Sequence, residues 1–245
     1  LGRAAKPPNA SDDNPTRVTS TLVLVRHGQA SFGASDYDVL SETGRRQARA
    51  AGAALRERFG GVHAVVSGTM RRQRDTAAVC LKAMGLPALW EEDAAWNEFD
   101  HEEVLRAWEP RWADHAEFHR DLAGAGGEAF ERAFFAAVAR WTGGAHDADY
   151  REPWPGFLAR VDGAFARLPR VPGGTTLVFT SGGPISAACR GPLGAPEPSA
   201  VLAHAFRLAN ASVTMLETGP DGLTLRAFNE HAHLSRTHEC LLTFR

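Results

Sequence analysis

Ten residues near the amino end, Thr21 to Ala30, read TLVLVRHGQA. Leu22, Val23, Leu24 and Val25 run without a polar break, and Thr21, Val23 and Val25 are β-branched, which favours extended backbone. An apolar run with no alternation suits a strand covered on both faces. The run ends abruptly in Arg26, His27 and Gly28. A buried strand thus delivers a cation and an imidazole to its carboxyl end, the edge where open α/β sheets bind ligands. Arg26 offers a planar fork of donors that matches phosphate oxygens. His27 offers an imidazole that can be neutral near pH 7 and so nucleophilic. Gly28 lets the backbone turn sharply and lets a ligand come close.

The chain beyond it reads as alternating helices and strands. Ser41 is an N-cap for a helix over Glu42 to Phe59, whose Ala48, Ala51, Leu55 and Phe59 share one face. Gly60 and Gly61 end it. Val62 to Val66 reads as a second buried strand, closed by Ser67-Gly68, and a helix follows from about Met70 to Met84. Strand, helix, strand, helix is the signature of a parallel sheet. Ala88 to Trp90 reads as a short third strand. Thr175 to Thr180, TTLVFT, is a buried strand, followed by Ser181-Gly182-Gly183-Pro184 and a helix from about Pro184 to Arg190. Val213–Glu217 and Leu223–Phe228 form a hairpin around Gly219-Pro220-Asp221-Gly222, and Cys240–Phe244 reads as a last strand. The fold class is α/β: a three-layer α/β/α sandwich around a mostly parallel sheet.

Between these strands the pattern changes. Five of the six tryptophans lie between Trp96 and Trp154, and Glu128–Trp141 and Pro155–Leu168 are amphipathic. Residues 91–151 read as a helical insertion over the active edge, a lid and the source of substrate choice. Residues 1–20 are Pro-, Ala-, Asn- and Asp-rich and read as a disordered tail, leaving 21–245 as a single domain. The 245 residues suffice for one sizeable core. A net charge of −2 gives no electrostatic case for nucleic acid or an anionic membrane, and no apolar run is long enough to cross a bilayer. Three dispersed cysteines, Cys80, Cys189 and Cys240, argue for a reducing, cytoplasmic setting. There the Asn9-Ala10-Ser11 sequon means nothing.

Two further stretches belong with Arg-His-Gly. SGTMRRQRDTA, Ser67 to Ala77, and AAWNEFDH, Ala94 to His101, each follow a predicted strand. Together these residues resemble the histidine phosphatase, or phosphoglycerate mutase-like, superfamily. In that superfamily Arg-His-Gly closes the first strand and a second motif reads Ser-x-x-Leu-x-Arg-Ala-x-Gln-Thr-Ala. Aligned on Thr76-Ala77, Met70 takes the leucine place and Arg72 the arginine place. Leu40 to Ala48 is similar to the family's Leu-x-x-x-Gly-x-x-Gln-Ala, and Trp96-Asn97-Glu98 to its Leu-x-Glu, whose glutamate is a proton donor.

The resemblance implies that His27 attacks phosphorus and that water hydrolyses the phosphohistidine. Arg26 and Arg72 would clamp the phosphoryl oxygens, since phosphoryl transfer needs charge stabilisation and in-line placement more than covalent help. A backbone carbonyl would fix the His27 tautomer. Glu98 would protonate the leaving oxygen and then activate water, a role suited to a raised pKa in a partly dry site. The expected substrate is a small-molecule phosphate ester, with no cofactor and no metal.

One departure stands out. The strand TTLVFT is followed in the family by a second histidine and then glycine, and here by Ser181. Losing one good oxyanion donor costs about 3 kcal/mol, offset in part by the helix start at Gly182. The sequence therefore supports a phosphomonoesterase, with a catalytically weak phosphate-binding relative as the alternative and a phosphomutase third. The remaining candidates for the pocket are Gly28, Gln29, Gly182, His101, His231 and His233. Ser181 lacks the glycine two residues before it that a hydrolase elbow needs, because Phe179 stands there. His231 and His233 flank Ala232 and read as structural or pocket-edge histidines near a strand end rather than metal ligands. His115 and His119 lack the glutamate of a zinc-protease helix, because Ala116 follows the first.

Overall fold

The computed structural model describes residues 19–31, 38–122, 127–219, 222–235 and 240–244. Residues 1–18, the Asn9 sequon, the loop over 32–37, the turn at 220–221 and the side chains of His115 and His119 lie outside the described residues. The strands are β1 (Ser20–Arg26), β2 (Ala64–Ser67), β3 (Glu91–Glu92), β4 (Thr175–Thr180), β5 (Val213–Gly219) and β6 (Gly222–Glu230). The helices are α1 (Glu42–Arg58), α2 (Arg71–Met84), α3 (His101–Trp108), α4 (His115–Leu122), α5 (Gly127–Thr142), α6 (Trp154–Arg167), α7 (Gly182–Cys189) and α8 (Pro198–Arg207).

The strands form one mixed sheet in the order β3-β2-β4-β1-β5-β6. β3, β2, β4 and β1 run parallel, β5 lies antiparallel to β1, and β6 closes a hairpin with β5. The unbroken apolar run of β1 follows from this position. Leu22, Val23, Leu24 and Val25 are all fully buried, and successive side chains face opposite ways. Leu22 and Leu24 enter one core with Val178, Leu216 and the helices α5 to α8. Val23 and Val25 enter a second core with Leu177, Phe179, Met215 and the helices α1 and α2. The sheet is thus the middle of three layers. Each of the four β1 side chains contributes about 1.5–3 kcal/mol through burial.

Several boundaries move for physical reasons. β2 begins at Ala64, because His63 is held by Thr175 through both its backbone N–H and its ring. The third strand is Glu91–Glu92 rather than 88–90, since Leu89 sits in an exposed turn closed on Pro87. Residues 91–151 therefore start in the sheet and leave it for α3, α4 and α5. Cys240–Phe244 is not a strand. Gln47 donates to the Leu241 carbonyl (2.7 Å) and Asn210 N–H to the Thr243 carbonyl (2.8 Å), so the segment is held outside any ladder. α7 begins at Gly182, two residues before Pro184. The sequence reading missed α8, although Pro198 at its first turn and Val201, Leu202 and Ala205 on one buried face mark it.

α1 passes close behind the end of β1. Ser41 caps it, accepting from Gly44 N–H at 3.0 Å. A Cβ on Gly28 would meet the Gly44 carbonyl oxygen at 2.5 Å, and one on Gly44 the Gln29 carbonyl oxygen at 2.2 Å. Gly28 is therefore demanded by the helix rather than by a ligand. Alanine ordinarily stabilises a helix over glycine by about 1 kcal/mol. Gly44→Ala should instead destabilise this protein by about 1–3 kcal/mol, because only backbone stands in the way. Urea unfolding measures this, and an unchanged or higher midpoint would contradict the close approach.

Candidate active site

The carboxyl ends of β1, β2 and β4 are tied together by backbone hydrogen bonds. His27 N–H donates to the Thr180 carbonyl (2.9 Å) and Gly68 N–H to the Phe179 carbonyl (3.0 Å). The segment entering β5 wraps the other side. Ala211 N–H donates to the His27 carbonyl, Arg26 N–H to the Ser212 carbonyl, and the Arg26 guanidinium to the Leu208 carbonyl. Ala211 is fully buried and holds a left-handed φ of 56° in this wrap, a local strain that the surrounding bonds sustain.

His27 is 5% exposed. Its Nδ1 lies 2.8 Å from the Gly28 carbonyl oxygen, which can only accept, so Nδ1 carries the proton. Arg72 Nε–H donates to His27 Nε2 at 3.2 Å, so that nitrogen presents a lone pair. The tautomer follows from these two partners. The pKa lies well below the usual histidine value. Burial is the main cause, followed by the charges of Arg72 and Arg26, with the Gly28 carbonyl acting in the opposite direction. The ring is therefore a neutral base at neutral pH, with its unprotonated nitrogen bonded to a guanidinium.

Arg72 is buried at the second position of α2, and its other arm pairs with Asp38 at 2.7 Å. α2 has no acidic residue in its first turn, and the side chain of its N-cap residue Met70 makes no capping hydrogen bond. Asp38 supplies both, accepting Arg71 N–H at 2.7 Å as well. Arg26 and Arg72 thus both act on the nucleophile candidate.

Glu98 arrives on a short turn after β3. Asp93 caps that turn. Trp96 is buried in it, and the Trp96 carbonyl accepts from Thr180 Oγ1 (2.6 Å) and Gln73 Nε2 (3.1 Å). Asn97 exchanges hydrogen bonds with Thr69, and Arg160 holds the Ala95 and Asn97 carbonyls at 2.9 Å each. The half-buried Glu98 carboxylate then rests on the amino end of α7, accepting Gly183 N–H at 3.1 Å. A Cβ on Gly183 would lie 2.1 Å from Glu98 Oε1, so this glycine makes room for the carboxylate.

The other candidates divide. His101 starts α3, half-buried, and feels the charges of Arg72 and Glu98. Burial is the main cause of its lowered pKa, with Glu102 the largest opposing influence. Gln29 is engaged with Ser41 and Gln47 at the start of α1. A Cβ on Gly182 would meet the Ala205 carbonyl of α8 at 2.8 Å, so the space beside it belongs to that helix. His231 and His233 directly follow β6, His231 at the N-cap of the short 3-10 turn Ala232–Leu234 and His233 inside that turn. His231 Nδ1 bonds the Asn229 carbonyl, and buried His233 bonds the Ala211 carbonyl at 3.0 Å. Among the described residues no three metal-ligating side chains cluster.

Ser181 occupies the N-cap place of α7 but makes no capping bond. It is fully buried, and its Oγ accepts from Gln73 Nε2 at 2.8 Å. The sequence reading missed Gln73 and Asp38. Gln73 had a signal, since it stands where the second motif has alanine.

Residues 22–231 match the Histidine phosphatase superfamily (branch 1). A bifunctional protein of Mycobacterium tuberculosis is 33% identical over 129 residues, which cover 48% of this chain. The chain spans 34% of the length of that relative. Phosphoglycerate mutase from Bacillus anthracis superposes with a TM-score of 0.60 at 18% identity, covering 91% of this chain and 98% of its own. Mycobacterial glucosyl-3-phosphoglycerate phosphatase with inorganic phosphate superposes with a TM-score of 0.55 at 26% identity, covering 87% and 99%.

The buried imidazole has a consequence for stability. Its pKa in the fold is below the unfolded value near 6.5, so the unfolded chain takes up a proton first as pH falls. The penalty is absent above about pH 6.5 and grows below it by up to about 1.4 kcal/mol per pH unit, until the folded pKa is reached. Wild type should therefore lose stability faster than His27→Asn between pH 6.5 and 5 in denaturant titrations. Parallel losses would contradict a neutral, buried ring.

Proposed function

The chain belongs to the histidine phosphatase superfamily, and we propose that it hydrolyses a small-molecule phosphomonoester through a phosphohistidine on His27. One observation carries this reading. His27 is held neutral, with Nδ1 bonded to the Gly28 carbonyl and Nε2 directed at Arg72. The inorganic phosphate bound to the glucosyl-3-phosphoglycerate phosphatase supports a phosphate pocket in the shared fold.

Nε2 attacks phosphorus while the bond to the leaving oxygen breaks, and Glu98 acts as the acid that gives that oxygen its proton. The ring then carries a positive charge, which the Gly28 carbonyl stabilises through Nδ1–H. Arg72 and Arg26 offset the phosphoryl charge. Water next attacks phosphorus and gives a proton to Glu98. The P–N bond breaks, and Nε2 recovers its lone pair. Residues 91–151 supply Glu98 and His101, so the proposed substrate-selecting lid and the proposed proton donor come from one stretch.

A second reading is a phosphate-binding relative with weak turnover, favoured by the neutral, buried Ser181 hydroxyl. A mutase would need a phosphoenzyme shielded from water.

Exposure to phosphate esters, followed by mass spectrometry without acid, separates these readings. Phosphohistidine with phosphate release is expected, and His27→Ala should abolish both. Turnover by that variant within tenfold of wild type would refute the nucleophile. Glu98→Gln should slow esters with poor leaving groups at least about tenfold more than an activated phenyl ester, which needs no proton. A uniform loss would remove Glu98 from the donor role.

A further inference from the structure

Gln73 and Ser181 are two departures from the superfamily pattern quoted above, and they touch. Gln73 replaces a small alanine on α2, and Ser181 replaces an imidazole after β4, 108 residues later. Both side chains are fully buried. Gln73 Nε2 uses one hydrogen on Ser181 Oγ (2.8 Å) and the other on the Trp96 carbonyl (3.1 Å). Its Oε1 accepts Met70 N–H at 3.3 Å. A Cβ on Gly68 would lie 2.0 Å from that oxygen, so the amide is packed against bare backbone. The amide bridges the ends of β2 and β4 and the turn that leads to Glu98.

The geometry points to Gln73 and Ser181 as one unit, a neutral amide–hydroxyl pair standing where the superfamily has a histidine beside alanine. Gln73 is the positioning residue of the pair. A wholly buried side chain at 181 can grow only by displacing what it faces, and the atom in front of its oxygen is Gln73 Nε2. Because Gln73 already donates to Ser181 Oγ, the serine's own proton must point elsewhere. Among the described residues no acceptor takes it. The pair is therefore fixed and uncharged at the end of β4. This assignment rests on the proposed phosphatase reading, and the following test separates the two.

Wild type, Ser181→His, Gln73→Ala and Gln73→Ala/Ser181→His are compared by melting temperature and by turnover of an activated phosphate ester between pH 5 and 8. Ser181→His alone should lower both, because the ring collides with the amide. Adding Gln73→Ala should restore the melting temperature by at least about 3 °C over the single histidine variant and raise its turnover at least about tenfold. The rate of the double variant should fall as pH rises through the new imidazole's pKa, a dependence that Ser181→Ala cannot show. Additive effects of the two substitutions on melting temperature would overturn the pairing. So would a Ser181→His protein as stable and active with Gln73 as without it. If His27→Ala keeps wild-type turnover, the phosphatase reading fails, while the melting temperatures still decide whether Gln73 and Ser181 are one unit.

Discussion

A neutral imidazole buried beside two guanidinium groups is the constraint to which the rest of the site answers. Arg72 and Arg26 both oppose protonation of His27, and burial opposes it more. An uncharged ring still needs its two nitrogens satisfied in opposite senses. The fold meets this with a backbone carbonyl one residue away on Nδ1 and a buried guanidinium N–H on Nε2. That guanidinium cannot be buried alone, since an uncompensated charge costs several kcal/mol. Asp38 compensates it from the loop before α1 and also caps α2, so one carboxylate settles the helix start and the cation together.

The same economy of space explains the glycines around the site. Gly28 and Gly44 are opposite sides of one backbone contact between the end of β1 and the start of α1. Gly182 faces the Ala205 carbonyl of α8, and Gly183 faces the Glu98 carboxylate. Glycines that read as room for a ligand turn out to be room for other parts of the chain. Each holds a strand end at a fixed depth, and the reactive groups inherit that placement.

This also sets what could be read from the sequence. β1, β4 and α2 were legible because continuous burial and helical periodicity leave local patterns, and they appear within a residue of their expected bounds. Arg26, His27, Arg72 and Glu98 were legible because each closes or follows a strand within a motif. β3 was misplaced because two exposed glutamates carry no strand signal, and their pairing is set by β2. The segment 240–244 was misread because its apolar composition suits a strand, while its partners are Gln47, Asn210 and the Leu234 carbonyl, contacts that a local reading cannot see. Asp38 and Gln73 were missed for the same reason. Their roles lie in contacts with Arg72 and Ser181, 34 and 108 residues away.

Charge at position 181 is best judged against the two arginines. An imidazole there would share a pocket whose cations already push His27 well below its usual pKa. The same fields would oppose its protonation, so part of the charge expected of a second histidine would be missing at neutral pH until a phosphoryl anion arrived. A serine held by an amide gives less electrostatic stabilisation, about 0.5–1.5 kcal/mol for a neutral bond against about 1.5–3 for a charged one. It gives that amount at every pH, with no proton to acquire. On the proposed phosphatase reading, a serine in place of a histidine would weaken the donor by up to about 2.5 kcal/mol by this comparison, up to about a factor of 70 in rate. The His27 imidazole, the guanidinium on Nε2 and the carboxylate on α7 are untouched by the exchange.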